Sequence, residues 1–285
     1  MDAHEYILSK QISWARNKNI KLVGSKGERG RPVYTAELKD NLFQPLGLSV
    51  KADFESGDGG ELSGRPSKMC ALHSSSALGV NIFQYWLKAK QVPAITSACG
   101  FCNKSNESSR NIRFEQKYPI SNSFRFSPNM DVAIENSSAS RYAVFAIECK
   151  FSEAYSSHGH SGLKAKYLEL REIWDGLPHL RSFAESISPQ DKGFEHLHPA
   201  QLVKHILGLT RTFGRNKFRL LYLWYDCLGR EGAKHRDEIG EFTSVAKKDG
   251  IPFHALSYQE LIIRLSGQFE SEHRSYIKYI SERYL

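Results

Sequence analysis

Apolar and polar positions along the chain follow two periods, one typical of amphipathic helices and one typical of strands. In the segment SSSALGVNIFQYWLK, Leu78, Ile82, Tyr85 and Trp86 recur at helical spacing behind serines that can cap a helix. Short runs rich in β-branched and aromatic residues predict strands. In chain order, the predicted strands are IRFEQKYPI, NMDVAIE, RYAVFAIECKF, FRLLYLWY and IPFHAL.

Two further helices complete the predicted order of elements. AQLVKHILGLTRTF separates the third strand from the fourth, and the last helix opens with Ser257 and Glu260 in the spacing of a capping box. The order is therefore helix, three strands, helix, two strands and helix. This order predicts an α/β fold with a mixed central β-sheet flanked by helices.

The same pattern of elements bears on the domain organisation. No internal repeat and no convincing boundary interrupt the pattern, so a single domain over residues 1–285 is expected. Residues 1–35 contain seven Lys or Arg against three acids and end in GSKGERGRP, which is interpreted as a mobile basic arm or loop. The prediction is a basic N-terminal extension, residues 1–60, attached to a core, residues 61–265.

Composition limits the kinds of partner. The 285 residues include 39 Lys and Arg against 31 Asp and Glu, a formal net charge of +8, which favours a polyanionic partner. No run of about 18 apolar residues predicts a membrane span, and the first residues lack the pattern of a signal peptide. Five cysteines in a chain of this length do not suggest a disulfide scaffold. A cytoplasmic protein is therefore expected.

The third predicted strand contains two charged residues, Glu148 and Lys150, within the apolar run AVFAIECKF. Burying either charge is costly unless it is paired or binds a metal. Because side chains alternate along a strand, the two residues share one face. The preceding strand begins with Asp131, and a turn through ENSSAS would make the two strands an antiparallel hairpin. In that hairpin, Asp131 and Glu148 would meet at one end.

Two carboxylates and a lysine at the end of a sheet suit phosphodiester hydrolysis. Carboxylate oxygens bind Mg²⁺, which takes its other ligands from water and phosphate. A lysine can orient the attacking water or neutralise charge in the transition state. The Glu-x-Lys pattern alone is weak evidence, because Glu37 with Lys39 and Glu115 with Lys117 share it. A surface ion pair on an edge strand is the structural alternative.

The arrangement PNMDV…AIECK resembles the PD-(D/E)XK nuclease superfamily. Bacterial proteins classed as type II restriction endonucleases are similar to this chain in four further segments, HSSSALGVNIFQYW, QLVKHILGL, LLYLWYD and ALSYQEL. The resemblance covers residues 61–265 and implies a restriction-endonuclease-like core. It also implies that Asp131 and Glu148 bind Mg²⁺, with Mn²⁺ able to substitute, and that Lys150 is the catalytic lysine. Pro128 stands three positions before Asp131, whereas the superfamily's pattern has a proline directly before the aspartate.

Further residues are candidates for the site. Many members of the superfamily have an additional acid ahead of the strands, and Glu61 is the candidate metal ligand here; Glu115 and Glu135 lie on neighbouring strands. On the helix AQLVKHILGLTRTF, Gln201 and Lys204 point away from the apolar stripe, and we expect them beside the site. A basic, solvated helix face is the alternative. The same side of this helix also carries His205, Gly208 and Arg211.

Basic residues in loop-like segments are candidates for contacting the DNA backbone. Lys and Arg neutralise phosphates without reading sequence, so nothing in these segments indicates which bases are recognised. The predicted DNA-binding residues are Lys26, Arg29, Arg31, Arg65 and Lys68, together with Arg211 on the helix AQLVKHILGLTRTF.

The HGH segment could place His158 or His160 near substrate, although histidines in such a loop commonly have no role beyond the loop itself.

The motif CGFC contains Cys99 and Cys102. A structural zinc ion needs four ligands, and although Cys70 and His73 could complete a set, no matching second pair exists. Ordinary thiols are therefore expected, while a zinc site and a redox pair stay open. No glycine pattern follows a strand in phosphate-binding spacing, so no nucleotide cofactor is expected.

These features predict a Mg²⁺-dependent endodeoxyribonuclease of restriction type that cuts double-stranded DNA. Because each chain supplies one site, cleavage of both strands would favour a homodimer. A DNA repair or structure-specific nuclease with the same residues is one alternative. A non-catalytic nucleic-acid-binding module on the same fold is the other.

Overall fold

The computed structural model describes residues 1–103, 105–156 and 159–285. Within these ranges, helices pack on both faces of a five-stranded sheet, and a small two-stranded sheet lies near the N-terminus. The helices are α1 (Ala3–Asn17), α2 (Leu48–Ser56), α3 (Ser75–Lys88), α4 (Val92–Ala98), α5 (Ala165–Glu169), α6 (Pro178–Ser186), α7 (Pro199–Phe213), α8 (Arg230–Lys248), α9 (Tyr258–Phe269) and α10 (Arg274–Tyr284).

The central sheet is mixed, as predicted. Its strand order is β3-β4-β5-β6-β7. The first three strands pair antiparallel, whereas β5 with β6 and β6 with β7 pair parallel. This arrangement confirms the α/β class with a mixed sheet flanked by helices. The strands are β1 (Leu22–Val23), β2 (Tyr34–Thr35), β3 (Ser109–Lys117), β4 (Asn129–Asn136), β5 (Val144–Lys150), β6 (Phe218–Trp224) and β7 (Phe253–Ser257).

Strand β5 lies at the centre of the sheet and is covered on both faces. Parallel pairing of β5 with β6 requires a crossover, which α5, α6 and α7 provide. Gly79 of α3 faces the Sγ of Cys149 on one side of β5. On the other side, His205 of α7 reaches Glu148. The charged residues of β5 therefore lie between the sheet and α7.

The N-terminal residues form an ordered part of the core. Residues Ala3–Asn17 form α1, in which Ile7 is fully buried. Gln11 Nε2 donates to the carbonyl of Arg283 in α10 at 3.0 Å, and Arg283 Nε donates to Gln11 Oε1 at 3.0 Å. The interpretation of this segment as a mobile basic arm or loop is wrong for α1, because the surfaces that bury the helix, Ser152–Tyr155 and α10, lie far away in the sequence.

No helix within the described ranges is both long and apolar enough to cross a membrane.

Candidate active site

Asp131 and Glu148 face each other across two antiparallel strands. The pairs Val132–Ile147 and Ala133–Ala146 define the register between β4 and β5. One step further along this register, Asp131 lies opposite Glu148, and Asp131 Oδ2 accepts a hydrogen bond from the Cys149 backbone N–H at 2.7 Å. The hairpin predicted from the sequence is thus confirmed, and it brings the two carboxylates together.

Glu148 is fully buried between two basic side chains. Lys150 Nζ lies 2.7 Å from Glu148 Oε1, and His205 Nε2 lies 2.8 Å from Glu148 Oε2. Both distances are those of close contacts, so Glu148 is held from two sides, by its own strand and by α7. Lys150 Nζ also donates to Gln201 Oε1 at 3.1 Å. Gln201 and His205 are one helical turn apart, so α7 supports the site with two successive side chains.

The electrostatics of the cluster follow from burial and neighbouring charges. Burial alone would raise the pKa of Glu148, but Lys150 and His205 lower it to about 2. Burial and the charge of Glu148 raise the pKa of Asp131 well above its ordinary value. Burial alone would lower the pKa of Lys150, but Glu148 and Asp131 raise it. The two carboxylates therefore have too little positive charge around them for both to ionise easily.

The residues present fit a hard divalent cation shared between Asp131 and Glu148. Burial, and after it the charge of Glu148, raises the pKa of Asp131, and a cation between the carboxylates would relieve both effects. In the described ranges, no group of three or more His, Cys, Asp or Glu is arranged to hold a metal ion by itself. That suits Mg²⁺, which commonly binds one or two carboxylates and keeps waters and phosphate oxygens as its other ligands.

A cleft of about 620 Å³ opens beside this cluster. The predicted site residues Glu61, Gln201 and Lys204 line it together with Asp131. Glu148 and Lys150 lie just behind this lining, and the side chain of Lys150 keeps 16% of its surface exposed. The cleft is therefore the side on which the buried charges are open to solvent. Its other polar lining residues include Asp58, Ser75, Asn129, His198 and His205.

Glu115 lines the same cleft. Its Glu-x-Lys pattern with Lys117 did not by itself predict this position, because the pattern recurs elsewhere in the chain. Its neighbours on β3 pair with Val132 and Met130, which places Glu115 opposite Asp131. Burial raises the pKa of Glu115 to about 7, and the charges of Glu61 and Glu148 act in the same direction. Its φ of 50° lies in the left-handed region, a strained backbone conformation that is enriched at functional sites.

His205 is a site residue that the sequence analysis placed only on the polar side of its helix, without a role in the site. It falls on the polar side of α7, yet it is only 1% exposed because that side packs against the sheet. The signal for it was its spacing of four residues from Gln201, which places both side chains on one face of the helix.

The six predicted DNA-binding residues do not converge on the cleft. Arg31 makes two hydrogen bonds to Glu5, at 2.9 and 3.0 Å. Lys68 Nζ donates to the carbonyl of Gly59, a cleft residue, at 2.7 Å. Arg211 Nη2 donates to Asn122 Oδ1 at 3.3 Å. None of Lys26, Arg29, Arg31, Arg65, Lys68 and Arg211 is among the cleft-lining residues of the described ranges.

The remaining sequence candidates lie away from the carboxylates or at the edge of the cleft. Cys99 is a free, fully buried thiol whose pKa is raised by burial, and Cys102 is partly exposed. His160 stacks on His198 with ring centroids 4.8 Å apart, and His198 lines the cleft. His158 lies outside the described residues.

Comparison with known proteins places the chain in a family. Residues 9–285 match the family model described as Restriction Endonuclease associating with ARP. No curated protein and no solved structure matches the chain. The match covers nearly the whole sequence and includes every residue of the candidate site. The chain therefore belongs to a restriction endonuclease family, the Restriction Endonuclease associating with ARP.

Proposed function

We propose that the protein is a Mg²⁺-dependent endodeoxyribonuclease of the PD-(D/E)XK type that hydrolyses phosphodiester bonds in double-stranded DNA. The observation that carries this proposal is the cluster of Asp131, Glu148 and Lys150 at paired strand ends, with 2.7 Å between Lys150 Nζ and Glu148 Oε1. Family membership supports DNA as the substrate.

The metal would be held by Asp131 and Glu148, with Glu61 or Glu115 as a further acid at the cleft. When bound there, Mg²⁺ polarises the phosphoryl group and neutralises charge that develops on it; Mn²⁺ has the same ligand preference. His205 holds one oxygen of Glu148 in place from α7. The carboxylate geometry is therefore set by both the sheet and the helix.

Lys150 acts as a positively charged donor in this mechanism. Its raised pKa keeps the ammonium group protonated at neutral pH. Gln201 and Glu148 fix its position through contacts of 3.1 and 2.7 Å. A fixed ammonium group beside the phosphate orients the attacking water and stabilises the charge of the transition state.

The DNA backbone would enter through the cleft that Lys204 lines. The chain's net charge of +8 favours approach of a polyanion over its whole surface. All residues of the cluster come from one chain, so one protomer supplies one complete site for one strand. We propose a homodimer for cleavage of both strands, since a two-fold axis presents two sites to a two-fold symmetric duplex.

Cleavage of plasmid and phage DNA tests the proposal. Purified protein is incubated with supercoiled plasmid, linear phage DNA and branched or mismatched duplexes in Mg²⁺, in Mn²⁺ and in EDTA, and binding to the same DNAs is measured by gel shift. Discrete bands that need the divalent ion are the expected result. Metal-dependent cleavage confined to branched or mismatched DNA would favour the structure-specific alternative. DNA binding without cleavage in either metal would leave only a nucleic-acid-binding module and contradict the proposal.

A further inference from the structure

An aromatic ring lies exposed at the edge of the catalytic cleft. Phe126 is 63% exposed, and it lines the same cleft as Asp131, Gln201 and Lys204. Single exposed apolar side chains are common on protein surfaces, so what distinguishes this ring is its position in the cleft that Asp131 lines. Within the described ranges, the other exposed large apolar residues do not line this cleft; they are Met1, Tyr6, Leu48, Leu228, Ile263 and Leu285.

The segment that carries this ring is held on both sides. Before it, Phe124 packs edge-on against Tyr167 with ring centroids 4.6 Å apart. Further back, Asn122 accepts a hydrogen bond from Arg211 of α7. After it, the chain enters β4 at Asn129. Phe126 is thus presented to solvent from an anchored backbone, which lowers the entropy lost when a ligand binds.

A cation lies near each of these aromatic rings. The guanidinium carbon of Arg125 lies 5.1 Å from the centroid of the Phe126 ring. Lys166 Nζ lies 4.7 Å from the centroid of Phe124 and 5.2 Å from that of Tyr167. Aromatic rings that alternate with Lys and Arg are the arrangement by which proteins bind unpaired nucleotides, the rings stacking on bases and the cations meeting phosphates.

We propose that Phe126 is a stacking platform for one unpaired nucleobase next to the phosphate in the cleft, with Arg125 and Lys166 meeting the flanking phosphates. This inference rests on the proposed nuclease function, which identifies the phosphate in the cleft as a backbone phosphate of the substrate DNA. In a duplex, both faces of a base are covered by its neighbours. The ring therefore engages a base only where a strand is single or where the base has left the helix, which costs unstacking energy.

Binding measurements without divalent metal test the platform apart from catalysis. The probes are a ~16-nucleotide oligothymidylate, within the usual site size for such surfaces, and a blunt duplex of the same length, both in EDTA. Phe126→Ala is expected to weaken binding to the single strand about 5- to 150-fold, the range for loss of one stacked base. Binding to the blunt duplex should change less than about 2-fold, because its bases stay stacked.

Two further variants serve as controls. Phe126→Trp keeps a stacking surface, so it should restore single-strand binding, and the fluorescence of the added indole should be quenched by the oligonucleotide. Tyr6→Ala removes an exposed ring that also has a cation nearby, Lys10 Nζ at 5.7 Å from its centroid, but that does not line the cleft. Its affinity for the single strand should equal that of the wild type.

Unchanged single-strand affinity in Phe126→Ala overturns the proposal, and so does an equal loss on single strand and blunt duplex. The outcome is independent of the nuclease proposal. If the wild type cleaves no DNA in Mg²⁺ or Mn²⁺ while Phe126→Ala still loses single-strand binding, the nuclease proposal fails and the platform stands. If the wild type cleaves and Phe126→Ala binds normally, the platform fails and the nuclease proposal stands.

Discussion

His205 on α7 and Glu148 on β5 are in contact, with 2.8 Å between Nε2 and Oε2, and both side chains are only 1% exposed. The contact ties the central strand to the helix that packs on it, and it orients one carboxylate oxygen of the proposed metal site. A buried carboxylate that loses a partner keeps its desolvation cost without the compensating attraction. The stability and the activity of the protein should therefore both depend on this contact.

Replacing His205 tests that dependence. His205→Ala should lower the free energy of unfolding by about 1–3 kcal/mol, the cost of leaving a buried polar group without a partner, and should reduce cleavage. His205→Gln retains a donor of similar reach and should recover most of both. Chemical denaturation and plasmid nicking measure the two quantities. Equal stability in wild type and His205→Ala would show that Lys150 alone compensates Glu148.

Lys150→Met should abolish cleavage while DNA affinity in EDTA stays within a few-fold of wild type. Breaking a buried ion pair costs about 3–5 kcal/mol. Because His205 still compensates Glu148, the free energy of unfolding should fall by less than this range. Activity lost with fold and affinity retained supports the catalytic role. Cleavage at the wild-type rate would make the nuclease interpretation of this strand wrong.

The chain offers a matched control for this variant. Glu37 and Lys39 have the same Glu-x-Lys spacing and the same 2.7 Å contact, but their side chains are 63% and 64% exposed. Lys39→Met should change the free energy of unfolding by less than about 1 kcal/mol, because exposed ion pairs contribute little. It should cleave DNA like the wild type.

Asp131→Asn should separate metal binding from folding. The raised pKa of Asp131 means that its ionised form destabilises the native state, so a neutral amide should raise the melting temperature in EDTA. The wild type should gain stability on addition of Mg²⁺, whereas Asp131→Asn and Glu148→Gln should lose most of that gain together with cleavage. Thermal melts with and without Mg²⁺ decide the matter. A full Mg²⁺-induced gain in Asp131→Asn would place the cation elsewhere.

Lys204→Gln should weaken binding to all DNA sequences about equally. If its ammonium group meets one phosphate, the slope of log affinity against log salt should fall by about 1. Arg211→Gln is the comparison, since Arg211 lies on the same helix, bonds to Asn122 and does not line the cleft. Salt titrations of both variants measure the slopes. A changed cleavage sequence with an unchanged slope in Lys204→Gln would indicate base contact instead.

His235 should make the protein less stable as the pH falls below 6.5. Burial, reinforced by nearby His196, lowers its pKa from 6.5 to about 3. Between these values, the unfolded chain binds a proton that the native state does not. The free energy of unfolding should therefore fall by up to about 1.4 kcal/mol per pH unit. His235→Gln should flatten this slope in urea melts at pH 7, 6 and 5, and a slope identical to wild type would contradict the assignment.

The sequence by itself determined the central part of the site. Strand periodicity placed Glu148 and Lys150 on one face of β5, and the hairpin brought Asp131 opposite Glu148. The helical periodicity of α7 placed Gln201 and Lys204 on the side that lines the cleft. These relationships are local, since each depends on one element or on two strands joined by a short turn. The periodicity of a single element follows directly from the sequence of its residues.

Only the tertiary structure decided which other side chains meet that centre. His205 is buried because α7 packs on β5, and Glu115 enters the cleft because β3 pairs with β4. Phe126 lines the cleft next to Phe124, which packs on Tyr167 more than 40 residues later in the chain. Such contacts join residues far apart in sequence, so their formation depends on how whole elements pack against one another.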